Sequence, residues 1–207
     1  MKTYALIGRN ISYSFSRNYF SEKFAREGIT DSQYINFDIQ TLDELPALLK
    51  ATPTLKGMNV TIPYKRDIIS LLTAIEPTVH QIGAVNTIKP TPIGLIGYNT
   101  DYYGFTESLK PLLQLHHTQA LILGTGGASG AVAYSLQQLG IGYTFVSRSP
   151  KEGQLAYHQL TPAIIEAHTL IINCTPLGTF PNINDCPPIP YQYLTPEHLL
   201  YDLIYNP

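Results

Sequence analysis

The stretch ILGTGGASGAV, residues 122 to 132, joins an apolar run to a segment of helical composition through a turn rich in glycine. This order of strand, glycine turn and helix is the context that a dinucleotide-binding fingerprint requires. Gly124 would make the tight turn, Gly126 would let backbone N–H groups approach a pyrophosphate, and the helix N-terminus would supply positive potential. The third fingerprint position is Ser129, which is small but is not glycine. The stretch therefore predicts a βαβ unit that binds a dinucleotide.

The end of the next apolar run, YTFVSR (Tyr143 to Arg148), indicates which dinucleotide to expect. Units that bind NAD usually place Asp or Glu at this point, where the carboxylate bonds the ribose 2′-hydroxyl. This chain has Ser147, Arg148 and Ser149 there and no acidic residue. A cation flanked by hydroxyls suits a 2′-phosphate, so the sequence favours NADP(H), with a solvated surface arginine as the alternative reading of Arg148.

Apolar runs and helical spacing alternate along both halves of the chain. The first half predicts strands over residues 3–8, 33–39, 57–62, 84–89 and 94–99, and helices over residues 18–28, 41–50 and 65–73. After a helix over residues 102–115, the second half predicts strands over 119–124, 143–148, 169–174 and 199–204, and helices over 127–140 and 160–167. We expect the α/β class: a substrate domain with a mostly parallel sheet over residues 1–101, and a Rossmann-like NADP-binding domain over residues 102–207.

Composition excludes several classes of protein. The 207 residues are 44% hydrophobic and carry a net charge of only −2, so the chain can bury a core. It has no polybasic run for nucleic acid or an anionic membrane, and no stretch long enough to span a bilayer. Cys174 and Cys186 are too few for a disulfide framework and, like the six scattered histidines, lack the spacing of metal ligands. These features predict a soluble cytoplasmic protein without a metal.

Polar side chains interrupt the apolar pattern of the first half at the predicted strand ends. Thr61 and Lys65 lie in NVTIPYK, Asn86 in AVNT and Asp101 in NTDYYGF, and YSFS (13–16) adds two hydroxyls that share one face if extended. Taken singly, Lys65 could be a surface lysine at a helix start, Asn86 a turn residue and Asp101 a helix N-cap, and the two serines could form a serine-rich turn. Together, at the carboxyl edge of an α/β sheet, they predict a site for a small, polyhydroxylated, anionic substrate.

Eight segments occur in the order seen in shikimate dehydrogenases: GRNISYSFS, GMNVTIPYK, IGAVNTI, GYNTDYYGF, LGTGGASGA, SRS, NCTPLG and DLIYNP. The chain resembles that family over essentially its whole length, and NVTIPYK and NTDYYGF are the specific matches. The resemblance implies reduction of 3-dehydroshikimate to shikimate with NADPH, in aromatic amino-acid biosynthesis. We expect a monomer or homodimer that binds a small-molecule substrate and has neither nucleic acid nor membrane as partner.

The resemblance also assigns roles to individual residues. Ser14 and Ser16 would hold the substrate carboxylate. Thr61, Asn86 and Asp101 would bind the ring hydroxyls, and Lys65 and Asp101 would contact the substrate as the catalytic pair. The matched motifs imply cofactor contacts from Gly124, Thr125, Gly126, Gly127, Ala128, Ser147, Arg148, Ser149, Asn173 and Thr175.

Three departures from the family pattern are visible. Tyr13 and Arg17 stand where the family usually has His and Pro, and Ser-Arg-Ser at 147–149 replaces Asn-Arg-Thr. Family members continue beyond DLIYNP with further helices, a strand and a Gln that touches the substrate. The resemblance therefore implies a form that lacks its C-terminal elements.

Three other functions stay open at this point. A quinate/shikimate dehydrogenase that uses NAD is disfavoured by Arg148. A methylene-tetrahydrofolate dehydrogenase is disfavoured by the two serines of YSFS and by NTDYYGF. A dinucleotide-binding module with impaired catalysis is favoured by the short C-terminus.

Overall fold

The structure is a computed structural model that describes residues 1–12 and 14–204. The chain divides into two compact units, Met1–Thr100 and Asp101–Pro207. Tyr13 and the last three residues of the DLIYNP segment lie outside the described residues. No helix within the described ranges is long and apolar enough to cross a bilayer.

The first unit is built on a six-stranded mixed sheet. Its strands are β1 (Lys2–Gly8), β2 (Ser32–Asp38), β3 (Leu55–Val60), β4 (Ala74–Ile75), β5 (Thr87–Thr91) and β6 (Gly94–Tyr98), in the order β2-β1-β3-β5-β6-β4. Its helices are α1 (Phe15–Arg26), α2 (Leu45–Ala51) and α3 (Pro77–Ile82), with 3-10 turns at Leu42–Glu44 and Asp67–Leu71. Strand β1 pairs in parallel with β2 and β3, and β4 pairs in parallel with β6, whereas β5 is antiparallel to both β3 and β6.

Alternation along β1 gives this sheet two buried faces. Ala5 and Ile7 lie in the larger apolar cluster, whereas Leu6 lies in a smaller cluster on the opposite face. The smaller cluster is covered by α1, which contributes Phe20 and Phe24. Helix α1 therefore lies over the sheet face that carries Leu6.

The first helix begins earlier than its periodicity predicts. The sequence predicted a start at Asn18, but α1 begins at Phe15 because the Ser14 hydroxyl caps it by accepting from the Ser16 N–H at 3.2 Å. The two serines therefore do not lie in one extended segment. Ser14 precedes the helix and Ser16 lies in its first turn, so the expectation of a shared extended face was wrong.

The second unit is built on a five-stranded parallel sheet. Its strands are β7 (Gln119–Leu123), β8 (Gly142–Ser147), β9 (Leu155–Ala156), β10 (Leu170–Asn173) and β11 (Leu199–Asp202), in the order β11-β10-β7-β8-β9. Its helices are α4 (Asp101–Leu109), α5 (Gly127–Gln138) and α6 (Pro162–Ala167), with 3-10 turns at Lys110–Leu112, Tyr157–Gln159 and Tyr191–Tyr193. The predicted α/β class, with parallel strands in both units and a Rossmann-like second unit, is confirmed.

The parallel sheet is apolar on both faces, as its strand composition predicts. Ile122 of β7 packs in one cluster with Val132 and Leu136 of α5. Its neighbour Leu123 lies in the cluster on the other face with Ile165 of α6. This double burial fixes the carboxyl ends of β7, β8 and β10, where the glycine turn and the other predicted cofactor residues lie.

Candidate active site

The loop after β3 lies against the end of β1. The Thr61 N–H donates to the Ile7 carbonyl at 2.9 Å. A Cβ on Gly8 would lie 2.6 Å from Thr61 Cγ2, so only glycine fits at the end of β1. This close approach places Thr61 beside the point where the chain leaves β1 towards Ser14.

The two serines form the N-terminus of α1. Ser14 is the N-cap, and Ser16 lies in the first turn of the helix, where its backbone N–H donates to the Ser14 hydroxyl at 3.2 Å. The N-terminus of this twelve-residue helix has positive potential from the helix dipole. The arrangement suits a carboxylate better than an isolated serine-rich turn would.

Asn86 is a buried amide with a fixed orientation. It is only 8% exposed, and its Nδ2 donates to Thr100 Oγ1 at 2.9 Å. Its Oδ1 accepts from the Thr100 N–H at 2.9 Å and from the Thr87 hydroxyl at 3.0 Å. These partners fix which atom of the amide donates, as recognition of a ring hydroxyl requires.

Lys65 and Asp101 each adjoin this amide through the backbone. The Lys65 carbonyl accepts from the Val85 N–H at 2.7 Å, and Val85 immediately precedes Asn86. Asp101 follows Thr100 directly and is the first residue of α4, where a helix N-terminus stabilises a carboxylate. The main chain therefore holds Lys65 beside Val85, the residue before Asn86, and Asp101 beside Thr100, which hydrogen-bonds Asn86.

Sequence reasoning missed a group of polar side chains on the sheet face beneath α1. The Tyr34 hydroxyl donates to Asn59 Oδ1 at 2.8 Å, and Asn59 Nδ2 donates to Thr87 Oγ1 at 3.3 Å. Burial raises the pKa of Tyr34, so the hydroxyl is neutral at physiological pH. The alternation of polar and apolar residues in QYINFDI and MNVTI indicated that each strand has a polar face. The sequence does not show the pairing register, which decides whether the two polar faces lie on the same side of the sheet.

The glycine turn after β7 has the geometry that its sequence predicts. Gly124 adopts φ = +98°, in the region that favours glycine, and its N–H donates to the Val146 carbonyl at 2.8 Å. Gly126 is the N-cap of α5, and a Cβ there would have no protein atom within 4 Å. Ser129 is 1% exposed and its hydroxyl donates to the Gly126 carbonyl at 2.7 Å, so it packs inside the turn.

This turn fits the pyrophosphate of a dinucleotide. Packing explains why residue 124 is glycine, because a Cβ there would lie 3.1 Å from Thr175 Cγ2. Packing does not explain why residue 126 is glycine, because a Cβ there would have no protein atom within 4 Å. The open space beside Gly126, at the start of a twelve-residue helix, leaves room for a phosphate to approach the backbone. Thr125 lies in the same turn, Gly127 and Ala128 begin α5, and all three are half-buried.

The end of β8 carries an exposed positive charge. Arg148 is exposed, and the Ser149 N–H donates to the Ser147 hydroxyl at 3.2 Å. Burial raises the pKa of Tyr157, and the charge of Arg148 opposes that rise. Arg148 thus supplies positive potential at the strand end where a 2′-phosphate is expected.

The side chains of Asn173 and Thr175 are engaged with their own loop. Asn173 Oδ1 accepts from the Thr175 hydroxyl at 2.6 Å, and its Nδ2 donates to Asp202 at 3.1 Å. Asn173 is 7% exposed. Their side chains therefore shape the end of β10, which leaves backbone groups of this loop as the means of contacting a cofactor.

The cysteines are free thiols. Cys174 is half-buried, and burial raises the pKa of its thiol, whereas Cys186 is exposed. Within residues 1–12 and 14–204, no group of three or more His, Cys, Asp or Glu side chains is placed to hold a metal ion.

Comparison with known proteins relates both units to one enzyme family. The model of the shikimate dehydrogenase substrate binding domain matches residues 6–88. Shikimate dehydrogenase (NADP(+)) of Clostridium botulinum (strain Hall) is 35% identical over 100% of this chain and 83% of its own length. The protein of the same name from Moorella thermoacetica is 36% identical over 98% of this chain and 75% of its own length.

Solved structures agree with the sequence comparisons. Shikimate dehydrogenase 1 from Peptoclostridium difficile is 33% identical with a TM-score of 0.82, and the match covers 100% of this chain and 78% of that one. Shikimate 5-dehydrogenase from Thermus thermophilus, solved in complex with NADP(H) and shikimate, is 29% identical with a TM-score of 0.84 over 100% and 80% of the two chains. Since relatives above 30% identity match the whole of its length, the chain belongs to the shikimate dehydrogenase family.

Proposed function

We propose that this chain catalyses the reversible, NADP-dependent oxidation of shikimate to 3-dehydroshikimate. The observation that carries this proposal is that backbone hydrogen bonds join three polar segments of the first unit. The Val60 N–H donates to the Asn86 carbonyl at 2.8 Å, and Val60 directly precedes Thr61. The Lys65 carbonyl accepts from the residue before Asn86 at 2.7 Å. A hydroxyl, an ammonium group and an amide thus come from neighbouring loops, as a polyhydroxylated ring requires.

Residues 1–101 supply the substrate site in this proposal. Ser14 and Ser16 bind the carboxylate at the N-terminus of α1, where the helix dipole favours an anion. Thr61, Asn86 and Asp101 bind the ring hydroxyls through side-chain groups that donate, accept or do both. In this proposal the carboxylate of the substrate lies at the N-terminus of α1, and its hydroxyls lie at the strand ends.

Lys65 and Asp101 move the proton in this mechanism. In the direction of reduction, the Lys65 ammonium group gives a proton to the oxygen of the developing alkoxide, and in the direction of oxidation the neutral amine takes it back. The Asp101 carboxylate accepts from the reacting hydroxyl and orients it. A lysine–aspartate pair can perform this transfer without a metal ion.

Residues 102–207 supply the cofactor site. When bound, the nicotinamide supplies or accepts the hydride at carbon. The backbone of the turn from Gly124 to Ala128 holds the pyrophosphate at the N-terminus of α5. Arg148, with Ser147 and Ser149 beside it, holds the 2′-phosphate, and backbone groups of Asn173 and Thr175 line the site from the end of β10.

An absorbance assay for reduced nicotinamide tests the proposal. The purified chain is incubated with shikimate and NADP, with shikimate and NAD, and with quinate and each cofactor. We expect the highest kcat/KM for shikimate with NADP. Absence of both turnover and shikimate binding by calorimetry would overturn the proposal, and a preference for NAD would overturn the role of Arg148.

A further inference from the structure

Two side chains near the carboxyl end of β2 hold the loop that leads from β1 to Ser14. The Asp38 carboxylate accepts from the Asn10 N–H at 2.7 Å and from the Ile11 N–H at 3.1 Å. The Asn36 Nδ2 group donates to the Ile11 carbonyl at 3.0 Å. We infer that Asn36 and Asp38 are positioning residues, which place Ser14 for the carboxylate of the substrate. This inference rests on the proposed function.

Ile11 connects the two side chains to the proposed carboxylate site. Its carbonyl also accepts from the Ser14 N–H at 2.9 Å, so Asn36 and Ser14 donate to the same oxygen. The Ser14 hydroxyl in turn accepts from the Ser16 N–H at 3.2 Å and caps α1. A displacement of Ile11 would therefore move both serines.

Pairing register and packing restrict this loop further. Asp38 lies opposite Gly8 in the parallel pairing of β1 with β2, at the point where the chain leaves β1. The Ile11 side chain is 2% exposed, and a Cβ on Gly8 would lie 2.6 Å from its Cγ2. Asn10 adopts φ = +54°, in the left-handed region that residues other than glycine rarely adopt. The hydrogen bond from Asn10 to Asp38 helps to hold this conformation.

The stability of the fold alone does not explain Asn36. Its Oδ1 is buried and has no hydrogen-bond partner among the described residues, and an unpaired buried acceptor is unfavourable. If the Asn36 amide were absent, the Ile11 carbonyl would keep the Ser14 N–H as a partner. An apolar side chain of similar size would therefore cost the fold little. What the amide adds is a second bond that fixes the direction of the Ile11 carbonyl.

Asn36→Leu tests the inference because it keeps the approximate size of the side chain and removes both polar atoms. We expect the KM and the Kd for shikimate to rise about fivefold, with kcat changed less than about twofold and the KM for NADP unchanged. Because the unpaired acceptor is removed as well, the unfolding temperature should not fall. A normal KM for shikimate would overturn the role of Asn36 at any unfolding temperature.

Asp38→Asn tests the other side chain. An asparagine can accept through only one of its two terminal atoms, so one of the two N–H groups of the loop loses its partner. We expect the KM for shikimate to rise about tenfold, again with a small change in kcat. Asp31→Asn is the matched control, since it removes the same charge just before β2, where Asp31 pairs with Lys2 at 2.9 Å. We expect normal constants for the control, and equal rises in both variants would overturn the role of Asp38.

Two further measurements separate positioning of the serines from general stability. In a chain that carries both Ser14→Ala and Ser16→Ala, Asn36→Leu should change kcat/KM for shikimate by less than about twofold, since the hydroxyls that it places are gone. The methyl ester of shikimate lacks the carboxylate charge, so Asn36→Leu should weaken binding of the acid more than binding of the ester. A full effect without the two hydroxyls, or equal losses for acid and ester, would show a merely structural role and overturn the inference.

The proposed function fails separately. If the wild-type chain neither binds nor oxidises shikimate, the role of Ser14 at a carboxylate is lost and the inference falls with it. If wild type is active and both Asn36→Leu and Asp38→Asn have normal constants, only the positioning role is overturned.

Discussion

The substitution Gly126→Ala tests whether Gly126 is required for cofactor binding or for folding. A Cβ at this position meets no protein atom within 4 Å, and its backbone has φ = −76° and ψ = −171°, which alanine also adopts. Alanine is a poorer N-cap than glycine, but it restricts the unfolded chain. These opposing effects leave the free energy of unfolding within about 1 kcal/mol of wild type.

Cofactor binding should respond quite differently to the same methyl group. If a pyrophosphate approaches the turn as we propose, the methyl group displaces it from at least one backbone N–H. Hydrogen bonds to charged groups contribute about 1.5–3 kcal/mol, so the Kd for NADP should rise roughly ten- to hundredfold. The assay is calorimetric titration of NADP into each protein, with thermal unfolding measured in the absence of cofactor.

Gly104→Ala is the matched control. Gly104 lies in α4, and a Cβ there also has no protein atom within 4 Å. Inside a helix, alanine stabilises by about 0.5–1 kcal/mol relative to glycine, and we expect an unchanged Kd for NADP. An unchanged Kd in Gly126→Ala itself would refute the reasoning, because the open space would then not be where the pyrophosphate lies.

Four other substitutions test the remaining parts of the site and one titrating group. Lys65→Ala should lower kcat by roughly 10²–10⁴-fold with a smaller change in the KM for shikimate, and a steady-state assay showing near-normal kcat would exclude Lys65 as the proton donor. Ser16→Ala should raise the KM for shikimate about tenfold through loss of a charge-assisted bond, and an unchanged KM would exclude Ser16 as a ligand of the carboxylate. Arg148→Ala should weaken binding of NADPH much more than binding of NADH, and equal weakening in titrations would contradict a 2′-phosphate contact. Burial lowers the pKa of His117, whose Nδ1 accepts from the Gln114 N–H at 2.9 Å, so the stability it contributes is present above about pH 6.5 and is lost as the pH falls through the lowered pKa of the folded state. His117→Gln should flatten the fall in unfolding temperature between about pH 7 and 5, and an unchanged slope would count against this linkage.

The parts of the fold that depend on local signals could be predicted from the sequence. The turn at Gly124 is one example, because an apolar strand, a glycine and a helix follow each other within a few positions, and the glycine has the positive φ that the turn requires. Strands β1, β2, β7 and β10 were predicted within one or two residues for the same reason. Strands β4 and β9 have two residues each and are too short to give an alternating pattern.

Local competition between helix signals could not be resolved from the sequence. The start of α1 depends on one hydroxyl, that of Ser14, which shifts the helix three residues towards the N-terminus. The predicted helix over residues 41–50 is instead a 3-10 turn followed by α2, with the Glu44 carboxylate accepting from the N–H groups of Gln40 and Thr41 at 2.8 and 3.0 Å. Hydrophobic periodicity shows neither the Ser14 cap nor the hydrogen bonds of Glu44, so neither helix start could be predicted from it.

The network around Tyr34 depends on a feature that only tertiary structure reveals. The pairing of β1 with β3 shifts between Thr3 and Tyr4, so that Thr3 lies opposite Leu55 but Tyr4 lies opposite Gly57. Side chains alternate with a period of two, and one extra residue therefore reverses the faces of everything that follows. Leu55 and Met58 consequently share the larger core despite their odd spacing, and Asn59 turns towards α1. Without this irregularity, the alternation that begins at Leu55 would place Asn59 in the larger apolar core and Met58 beneath α1. The hydrogen bond between Tyr34 and Asn59 thus depends on one extra residue in β3.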